Sequence, residues 1–438
     1  MAVLAVIIVA SVALAATILI QQQAGETPVQ KASMLSFDFS ISEEEYNVTR
    51  DFEWSAKGFT LRVVEAGFRS IIWNNTPWTH KLIYLEPQPA NSSLILVVAG
   101  GLGPGNATSN TLKYITEASA ASGVPVAVLT GLPNTPPGVD GELLLAISNA
   151  EALRTGDPTR SLVYPMAQAY IKAMSLIERI SSVSPSGFVV SGGCMRGWTA
   201  WVVARHDPRV VAIVPRSFNV ARITDSFHAH VDVYGQCRGP IHMLEEQLGT
   251  LENFEELPGY ENFMVEYNPV DFVSKVGGKP ILVLMGANDC LFPPGLEEAY
   301  TQLHPDFHVV YMPNTTHMGL HALKETWTTI MAFVKHVEDG RRWPELTAKI
   351  TKSDGGITVD VTYGETPEAL YLVYAEPTRI GSQYAEFSQS RWAWVKLSPD
   401  SPTYTLKVEK PLGVYILAVY SYGKLKFIAT TQITTIKP

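Results

Sequence analysis

Six short runs of almost uninterrupted apolar residues constrain the fold of this chain more than any other feature of its sequence. Such runs are typical of strands that are buried on both faces of a parallel sheet. They occupy residues 93–100, 124–131, 186–193, 210–217, 279–289 and 307–314. Helical patterns over 161–183 and 195–209 lie between them. This alternation predicts an α/β fold with a doubly wound, mostly parallel sheet over residues 58–340.

The pattern changes towards the carboxyl end of the chain. Residues 346–438 form short alternating stretches separated by Gly, Pro, Ser and Asp, which predict a C-terminal all-β, sandwich-like domain. Residues 224–268 interrupt the earlier alternation and contain three of the ten histidines, so we expect an insertion or lid there. A chain of 438 residues is long enough for two such domains.

The first twenty residues contain no charged side chain. An apolar helix of this length covers roughly the 30 Å core of a bilayer, so residues 1–20 predict an N-terminal hydrophobic helix that anchors the protein in a membrane. The alternative is a cleaved signal peptide, because Ala13-Leu14-Ala15 resembles a small-x-small cleavage site. Residues 21–57 are then a tether and lead-in. Both alternatives predict an extracellular or cell-surface protein, either membrane-anchored or secreted.

Charge and motif content argue against nucleic acid as a partner and against nucleotide hydrolysis as an activity. The net charge of −9 argues against nucleic acid, because binding to nucleic acid depends on clustered Lys and Arg. No GxxxxGK[ST] motif occurs, so nucleotide hydrolysis has no support.

Cys194 follows the apolar run at 186–191 and a Gly192-Gly193 pair, and it precedes a predicted helix. This is the setting of a nucleophile elbow, G-x-S-x-G, with cysteine in place of serine and with Gly197 one residue later than the motif requires. The helix N-terminus and a neighbouring imidazolium would stabilise a thiolate. The alternatives are a degenerate nucleophile without activity and a small buried side chain.

Asp289 follows the strand at 279–286, and His317 follows the last strand of the sheet. The order nucleophile, acid, histidine is that of α/β-hydrolases. In this hypothesis His317 takes the proton of Cys194, Asp289 fixes the imidazole tautomer, and the thiolate attacks an acyl carbonyl to form a thioester that water hydrolyses. The sequence therefore predicts hydrolysis of an ester, thioester or amide, with a small-molecule, peptide or glycan acyl substrate and without a metal or other cofactor.

Backbone N–H groups near the elbow are candidates for the oxyanion hole. The Gly-rich stretch after the strand at 93–100 offers Gly101 or Leu102, and Met195 offers a second donor. Arg196 has two interpretations, a contact to the substrate or oxyanion and a structural ion pair. His228 and His230 in the insertion are candidates for contact with the substrate.

The chain contains three cysteines, an odd number that leaves at least one thiol unpaired within the chain. Cys237 lies in the insertion, and Cys290 follows Asp289. Export would permit a disulfide between them that clamps the insertion to the body, and two free buried thiols are the alternative.

Several stretches resemble the PhoPQ-activated pathogenicity-related protein family, from about residue 60 to 340 and on into the β-rich part. The most specific are TGDPT at 155–159 and RGW at 196–198. The resemblance implies an α/β-hydrolase fold and an exported location. Members of this family resemble serine hydrolases with Ser-Lys-Arg-Gly-Trp at the elbow; here Cys194 and Met195 replace the first two residues.

Two hypotheses from other classes remain. His228, His230 and Asp232 form an HxHxD run reminiscent of a metallohydrolase, although Val233 stands where that motif continues with histidine. Alternatively, the protein is an inactive cell-envelope scaffold or binding protein, with an exposed row of aromatic residues on its C-terminal strands. The candidates for this row are Trp392, Trp394, Tyr415, Tyr420 and Tyr422.

Overall fold

The structure is a computed structural model, and it describes residues 33–438 except 57, 100–108, 137, 274–275 and 354. The predicted N-terminal helix at 1–20 lies outside the described residues. Within the described part of the chain, none of the helices combines the length and apolarity that crossing a bilayer requires. Leu35–Pro438 form one compact unit.

A nine-stranded sheet organises the described part of the chain, in the order β1-β2-β3-β5-β4-β6-β7-β8-β9. The pairs β1-β2, β2-β3 and β3-β5 are antiparallel. The six strands β5, β4, β6, β7, β8 and β9 are parallel to one another. This is an α/β-hydrolase-like, mixed and mostly parallel sheet. The strands are β1 (Tyr46–Ala56), β2 (Phe59–Trp73), β3 (Thr76–Gln88), β4 (Leu94–Ala99), β5 (Val126–Thr130), β6 (Gly187–Gly193), β7 (Val210–Arg216), β8 (Ile281–Asn288) and β9 (Phe307–Thr316).

The prediction of a tether up to residue 57 is wrong for its second half. Residues 46–56 form β1, the edge strand of the sheet. Leu35 and Ile41 are buried, and Asp38 accepts a hydrogen bond of 2.6 Å from the buried ammonium of Lys172. The segment does alternate, with Tyr46, Val48, Phe52, Trp54 and Ala56 at every second position, but Arg50 interrupts the pattern and most of the side chains are exposed.

Helices cover both faces of the sheet, as the doubly wound prediction requires. The side chains of β4 alternate between two apolar clusters, with Ile95, Val97 and Ala99 in one and Leu94, Leu96 and Val98 in the other. The helices are α1 (Ser109–Ser122), α2 (Gly141–Thr155), α3 (Val163–Ile180), α4 (Met195–His206), α5 (Ile223–Tyr234), α6 (Gly239–Leu248), α7 (Tyr260–Tyr267), α8 (Pro269–Phe272), α9 (Glu298–Leu303) and α10 (Lys324–Glu338). Helices α3 and α4 pack on the first cluster, and α1 and α10 pack on the second.

The predicted insertion at 224–268 is helical. It comprises most of α5, all of α6 and α7, and a short 3-10 helix at Phe254–Glu256. Helix α6 packs against α2. Phe227 of α5 and Phe254 lie edge to face, with ring centroids 5.1 Å apart. Phe263 of α7 lies edge to face with Trp198 of α4 at 6.3 Å, so aromatic packing joins the insertion to itself and to the body.

The C-terminal part contains further β-rich sheets rather than one simple pair of sheets. Three strands pair as β10-β11-β16, five form the sheet β15-β12-β17-β18 with β19 on β17, and β13 pairs with β14. The strands are β10 (Leu346–Ser353), β11 (Gly356–Tyr363), β12 (Ala369–Ala375), β13 (Arg379–Ile380), β14 (Ala385–Glu386), β15 (Ala393–Leu397), β16 (Thr403–Lys407), β17 (Leu412–Tyr422), β18 (Leu425–Thr430) and β19 (Thr434–Ile436). Strand β18 contacts α10 and β9, so its apolar side chains share a core with the first domain.

The exposed aromatic row expected on these strands does not form. Trp392, Tyr415 and Tyr420 are buried and Tyr422 is half-buried, whereas Trp394 is exposed. The ring of Trp392 packs on that of Tyr415 with centroids 5.2 Å apart. Trp392, Tyr415 and Tyr420 therefore belong to the core, as alternating aromatics in a sheet usually do.

Candidate active site

Cys194 occupies a strained turn between β6 and α4. Its φ and ψ angles are 56° and −125°, a backbone conformation that residues other than glycine rarely adopt. The backbone N–H of Cys194 donates to the carbonyl of Arg216 at 2.9 Å, and its own carbonyl accepts from Gly197 and Trp198 at 2.8 and 3.1 Å. The turn therefore presents the thiol at the carboxyl end of the sheet, as a nucleophile elbow does.

Two glycines make this turn sterically feasible. A Cβ at Gly192 would lie 2.2 Å from the carbonyl oxygen of Arg196 and 2.6 Å from the Tyr170 hydroxyl. A Cβ at Gly197 would lie 3.0 Å from the carbonyl oxygen of Gly192. Gly197 thus packs directly against the strand, although it stands one residue later than the sequence motif places its second glycine.

Asp289 and His317 lie next to each other in the loops after β8 and β9. The Nδ1 atom of His317 is 2.8 Å from Oδ2 of Asp289. The other oxygen of Asp289 accepts hydrogen bonds from the backbone N–H groups of Leu291 and Phe292, at 2.9 and 3.0 Å. The Ser217 hydroxyl donates to the His317 carbonyl at 2.9 Å. Both side chains are buried, and each has a defined orientation.

The surroundings of His317 favour the imidazolium form. Burial alone would lower its pKa, but the charge of Asp289, the Asp289 hydrogen bond and the interaction with the Cys194 thiol outweigh burial and raise the pKa to about 11. Because Nδ1 is bonded to Asp289, the interaction with Cys194 involves Nε2. This buried Nε2 makes no hydrogen bond to any of the described residues, the Cys194 sulfur included. Nε2 is thus the nitrogen left to exchange a proton with Cys194, which lines the same cavity as His317.

Two cavities of different chemistry flank Cys194. The first has a volume of about 80 Å³ and is almost wholly apolar. Its lining comes from α2, from α4, from the loops after β7 and β8, and from the helices of the insertion. It includes Leu145, Trp198, Phe218, Phe227, Leu244 and Phe292. The second has a volume of about 50 Å³, and although much of its surface is apolar, its lining includes Cys194, Arg196, Arg216, Ser217, His317 and His321.

Arg196 and Arg216 both line the second cavity. Arg196 donates from Nε to the Leu132 carbonyl at 2.5 Å, and no carboxylate of the described residues forms an ion pair with it. The structural ion pair considered for Arg196 is therefore not formed. Burial lowers its pKa, an effect opposed by Cys194, Tyr170 and Glu142.

Arg216, the last residue of β7, was not recognised from the sequence as a site residue. Its Nε and Nη2 atoms donate to the Ser191 hydroxyl at 3.1 Å and the Ala99 carbonyl at 3.0 Å, and its guanidinium lies over the Trp327 ring. Burial, with Arg196 acting in the same direction and Tyr170 in the opposite one, lowers its pKa to about 10. Its position at the carboxyl end of a predicted strand was the signal that could have identified it.

The histidines of the insertion do not line either cavity beside Cys194. His228 is exposed on α5. His230 is buried, donates from Nε2 to the Leu291 carbonyl at 2.6 Å, and accepts from the Arg238 N–H at 3.1 Å. Its contacts thus support the loop that carries Asp289, and the structure gives neither histidine a place against a substrate.

The HxHxD run does not converge on one point. Both ring nitrogens of His230 bond to backbone atoms, and Asp232 accepts hydrogen bonds from Ser382, Gln383 and Tyr384 of the C-terminal part. Residues two apart on a helix point about 200° apart, so His228 and His230 face away from each other. No group of three metal-ligating side chains occurs among the described residues.

The remaining candidates separate into three cases. Met195 is the first residue of α4, where a backbone N–H lacks an acceptor within the helix, so it is suitably placed to donate to an oxyanion. Gly101 and Leu102 lie outside the described residues. Cys237 is buried and Cys290 is exposed, and both are free thiols, so the disulfide expected between them is not formed.

Comparison with known proteins places the chain in a family. Residues 40–379 match the family described as PhoPQ-activated pathogenicity-related protein. A curated relative is autocrine proliferation repressor protein A of Dictyostelium discoideum, 22% identical over 293 residues, which cover 63% of this chain and 59% of the relative. The chain thus spans less than two thirds of the length of that relative.

Two solved structures that match this chain have lower sequence identity to it than the curated relative has. Acetyl xylan esterase 1 from Thermoanaerobacterium sp. JW/SL YS485 matches 67% of this chain and 87% of its own, with a TM-score of 0.45 and 12% identity. S-formylglutathione hydrolase from Agrobacterium tumefaciens matches 67% of this chain and 99% of its own, with a TM-score of 0.44 and 15% identity. On the match over residues 40–379, more than half of its length, the chain belongs to the PhoPQ-activated pathogenicity-related protein family.

Proposed function

We propose that this protein is an exported acyl hydrolase that uses Cys194, His317 and Asp289. The observation that carries the proposal is that a buried, Asp289-bonded imidazole lines the same cavity as a thiol on a nucleophile elbow. An apolar cavity beside that thiol offers space for an acyl group. The substrate class is an ester, thioester or amide.

The reaction begins with attack of the Cys194 sulfur on the acyl carbonyl carbon, while His317 holds the thiol proton on Nε2. The Met195 N–H donates to the developing oxyanion. The tetrahedral intermediate then expels the leaving group, which takes the proton from His317, and a thioester remains on Cys194. His317 next removes a proton from water, the hydroxide attacks the thioester, and the carboxylic acid departs as the thiol is restored.

Asp289 acts by positioning and by charge. Its hydrogen bond holds the imidazole with Nδ1–H towards the carboxylate and Nε2 towards Cys194. Two backbone N–H groups fix the carboxylate in turn, so the imidazole has one orientation available. The negative charge also stabilises the imidazolium that forms when Cys194 loses its proton.

The test compares hydrolysis of p-nitrophenyl acetate by the purified protein and by Cys194→Ala, Cys194→Ser and Asp289→Asn. Cys290→Ser is the matched control, because Cys290 is exposed and lies outside the proposed chemistry. We expect loss of activity in Cys194→Ala, a decrease of about 10²-fold or more in Asp289→Asn, and little change in Cys290→Ser. Acyl-enzyme trapped at Cys194 and located by mass spectrometry would support the thioester. Equal turnover by the Cys194→Ala variant would overturn the proposal.

A further inference from the structure

The thiol of Cys194 lies at the boundary between an apolar cavity and a cationic one. The 80 Å³ cavity has almost only carbon on its surface. The 50 Å³ cavity is lined by two arginines and two histidines, and no Asp or Glu belongs to its lining. A substrate that spans Cys194 therefore meets almost only apolar surface on one side of its scissile bond and two arginine side chains on the other.

Within the described part of the chain, neither arginine has a carboxylate in direct contact, although the charge of Glu142 acts on Arg196 from a greater distance. Neither Arg196 nor Arg216 forms an ion pair with a carboxylate among the described residues, although Arg216 is only 3% exposed. Arg216 instead contacts a hydroxyl, a carbonyl and an indole ring. A buried charge without a partner is costly, and proteins retain such charges mainly where a ligand or a reaction compensates for them.

The position of His317 assigns the two cavities to the two halves of the substrate. In acyl transfer the histidine gives its proton to the leaving group, so the leaving group must lie beside Nε2. His317 lines the cationic cavity and not the apolar one. The acyl group then occupies the apolar cavity, and the leaving group occupies the cavity with Arg196 and Arg216.

We propose that the cavity lined by Arg196, Arg216 and His321 is a carboxylate-binding subsite for the leaving group. This inference rests on the proposed acyl hydrolysis and narrows its substrate class: a short apolar acyl group joined to an alcohol, thiol or amine that carries a carboxylate. The planar guanidinium matches the two oxygens of a carboxylate. Hydrolysis of the scissile bond consumes one water and releases the short acid and the free hydroxy, thiol or amino acid.

The first test compares two substrates of nearly equal shape. Acetoxyacetate carries a carboxylate on its leaving group, and acetoxyacetamide carries a neutral amide in the same place. Hydrolysis is followed by proton NMR. Because hydrogen bonds to charged groups are worth about 1.5–3 kcal/mol, we expect kcat/KM to be about tenfold or more higher for acetoxyacetate, chiefly through a lower KM.

Arg216→Gln should abolish this preference, and Arg216→Lys should retain part of it because the charge remains. Arg69→Gln is the control, since Arg69 is exposed on β2 and distant in the sheet from β7. If Arg216→Gln fails to fold, Arg196→Gln and His321→Gln test the same cavity from two other elements. An equal kcat/KM for the two esters in the unmodified protein would overturn the subsite.

A second measurement does not require turnover. Iodoacetate and iodoacetamide alkylate the same thiols, but only iodoacetate carries a carboxylate, and mass spectrometry reports the rate at each cysteine. For each cysteine we take the rate with iodoacetate divided by the rate with iodoacetamide. This ratio should be about tenfold higher at Cys194 than at the exposed Cys290, and the difference should become smaller in Arg216→Gln.

The two experiments separate failure of the subsite from failure of the hydrolase. A preference for iodoacetate that depends on Arg216, together with no ester hydrolysis, would support the carboxylate subsite and overturn the proposed function. Hydrolysis of both esters at one rate, with equal alkylation ratios at the two cysteines, would support the proposed function and overturn the subsite.

Discussion

Asn314 and Trp392 are joined by two reciprocal hydrogen bonds. The Asn314 side-chain Nδ2 donates to the Trp392 carbonyl at 3.1 Å, and the Trp392 N–H donates to Asn314 Oδ1 at 2.9 Å. Asn288 makes a similar attachment, with Nδ2 2.7 Å from the carbonyls of both Phe387 and Ser390. The C-terminal segment 387–392 thus holds the loops of Asp289 and His317 from outside the first domain.

Asn314→Ala should therefore lower both stability and turnover. The substitution leaves the buried Trp392 backbone groups unpaired, at a cost of about 1–3 kcal/mol in the free energy of unfolding. We also expect kcat to fall with little change in KM, because Asn314 lies in β9 only three residues before His317. Denaturant unfolding and ester hydrolysis measure the two effects. The control is Asn47→Ala on the exposed face of β1. A normal kcat in folded Asn314→Ala would show that the attachment serves stability alone.

The two histidines of α5 should differ sharply when replaced. His230→Gln removes the hydrogen bond to the Leu291 carbonyl. The N–H of Leu291 in turn donates to Asp289, so we expect lower activity and a lower Tm. His228→Gln should change neither, because His228 is exposed on the same helix. Burial lowers the pKa of His230, and the folded protein thus binds its proton less readily than the unfolded chain. Because the unfolded chain takes up this proton near the ordinary pKa of about 6.5, the free energy of unfolding decreases as the pH falls below about 6.5. Equal effects of the two substitutions would contradict this role for His230.

The apolar cavity should set the length of the acyl group. Its volume of about 80 Å³ is well below the roughly 150 Å³ of a cavity that holds benzene, so we expect acyl groups of about two to four carbons to react fastest. Leu145→Ala should move this preference to longer chains and lower the free energy of unfolding by about 2–5 kcal/mol. Ile147→Ala on the same helix is the control, because Ile147 is 44% exposed. Rates with p-nitrophenyl esters of increasing length provide the measurement, and an unchanged length profile in Leu145→Ala would count against this cavity as the acyl site.

The charge of His317 should make stability depend on pH in a defined direction. Its folded pKa is raised above the unfolded value near 6.5, so the stabilisation is complete below pH 6.5 and declines as the pH rises towards 11. The cleanest comparison is Cys194→Ala against Cys194→Ala/Asp289→Asn, because the coupled thiol is then absent. We expect the difference in unfolding free energy between these two variants to shrink from pH 6.5 to 9.5. A constant difference would mean that Asp289 does not stabilise the imidazolium.

The sequence predicted the candidate triad because strong signals define its surroundings. Asp289 and His317 each follow a strand whose side chains are buried on both faces, and such apolar runs are easily recognised. The carboxyl ends of parallel strands share one edge of a sheet, so residues far apart in sequence could be expected to meet there.

Other features depend on tertiary contacts that leave no local pattern. Asn288 and Asn314 look like ordinary turn residues, and their partners lie 78 to 102 residues away. Arg216 resembles a polar strand end, and only its packing on β4, β6 and Trp327 reveals that it is buried. His228 and His230 would lie on one side of an extended segment, and this made them candidates for one site. The segment is helical, so the two side chains point in different directions.

The turn at residue 194 has a consequence for the history of this family. Its backbone is held by Gly192, by Gly197 and by the carbonyl of Arg216, whereas the Cys194 side chain makes no capping contact. Oxygen and sulfur can therefore exchange there without rebuilding the loop, and serine and cysteine codons differ by as little as one nucleotide. One such nucleotide change would exchange the proposed thiol nucleophile for an alcohol, on a turn whose backbone contacts do not involve the side chain.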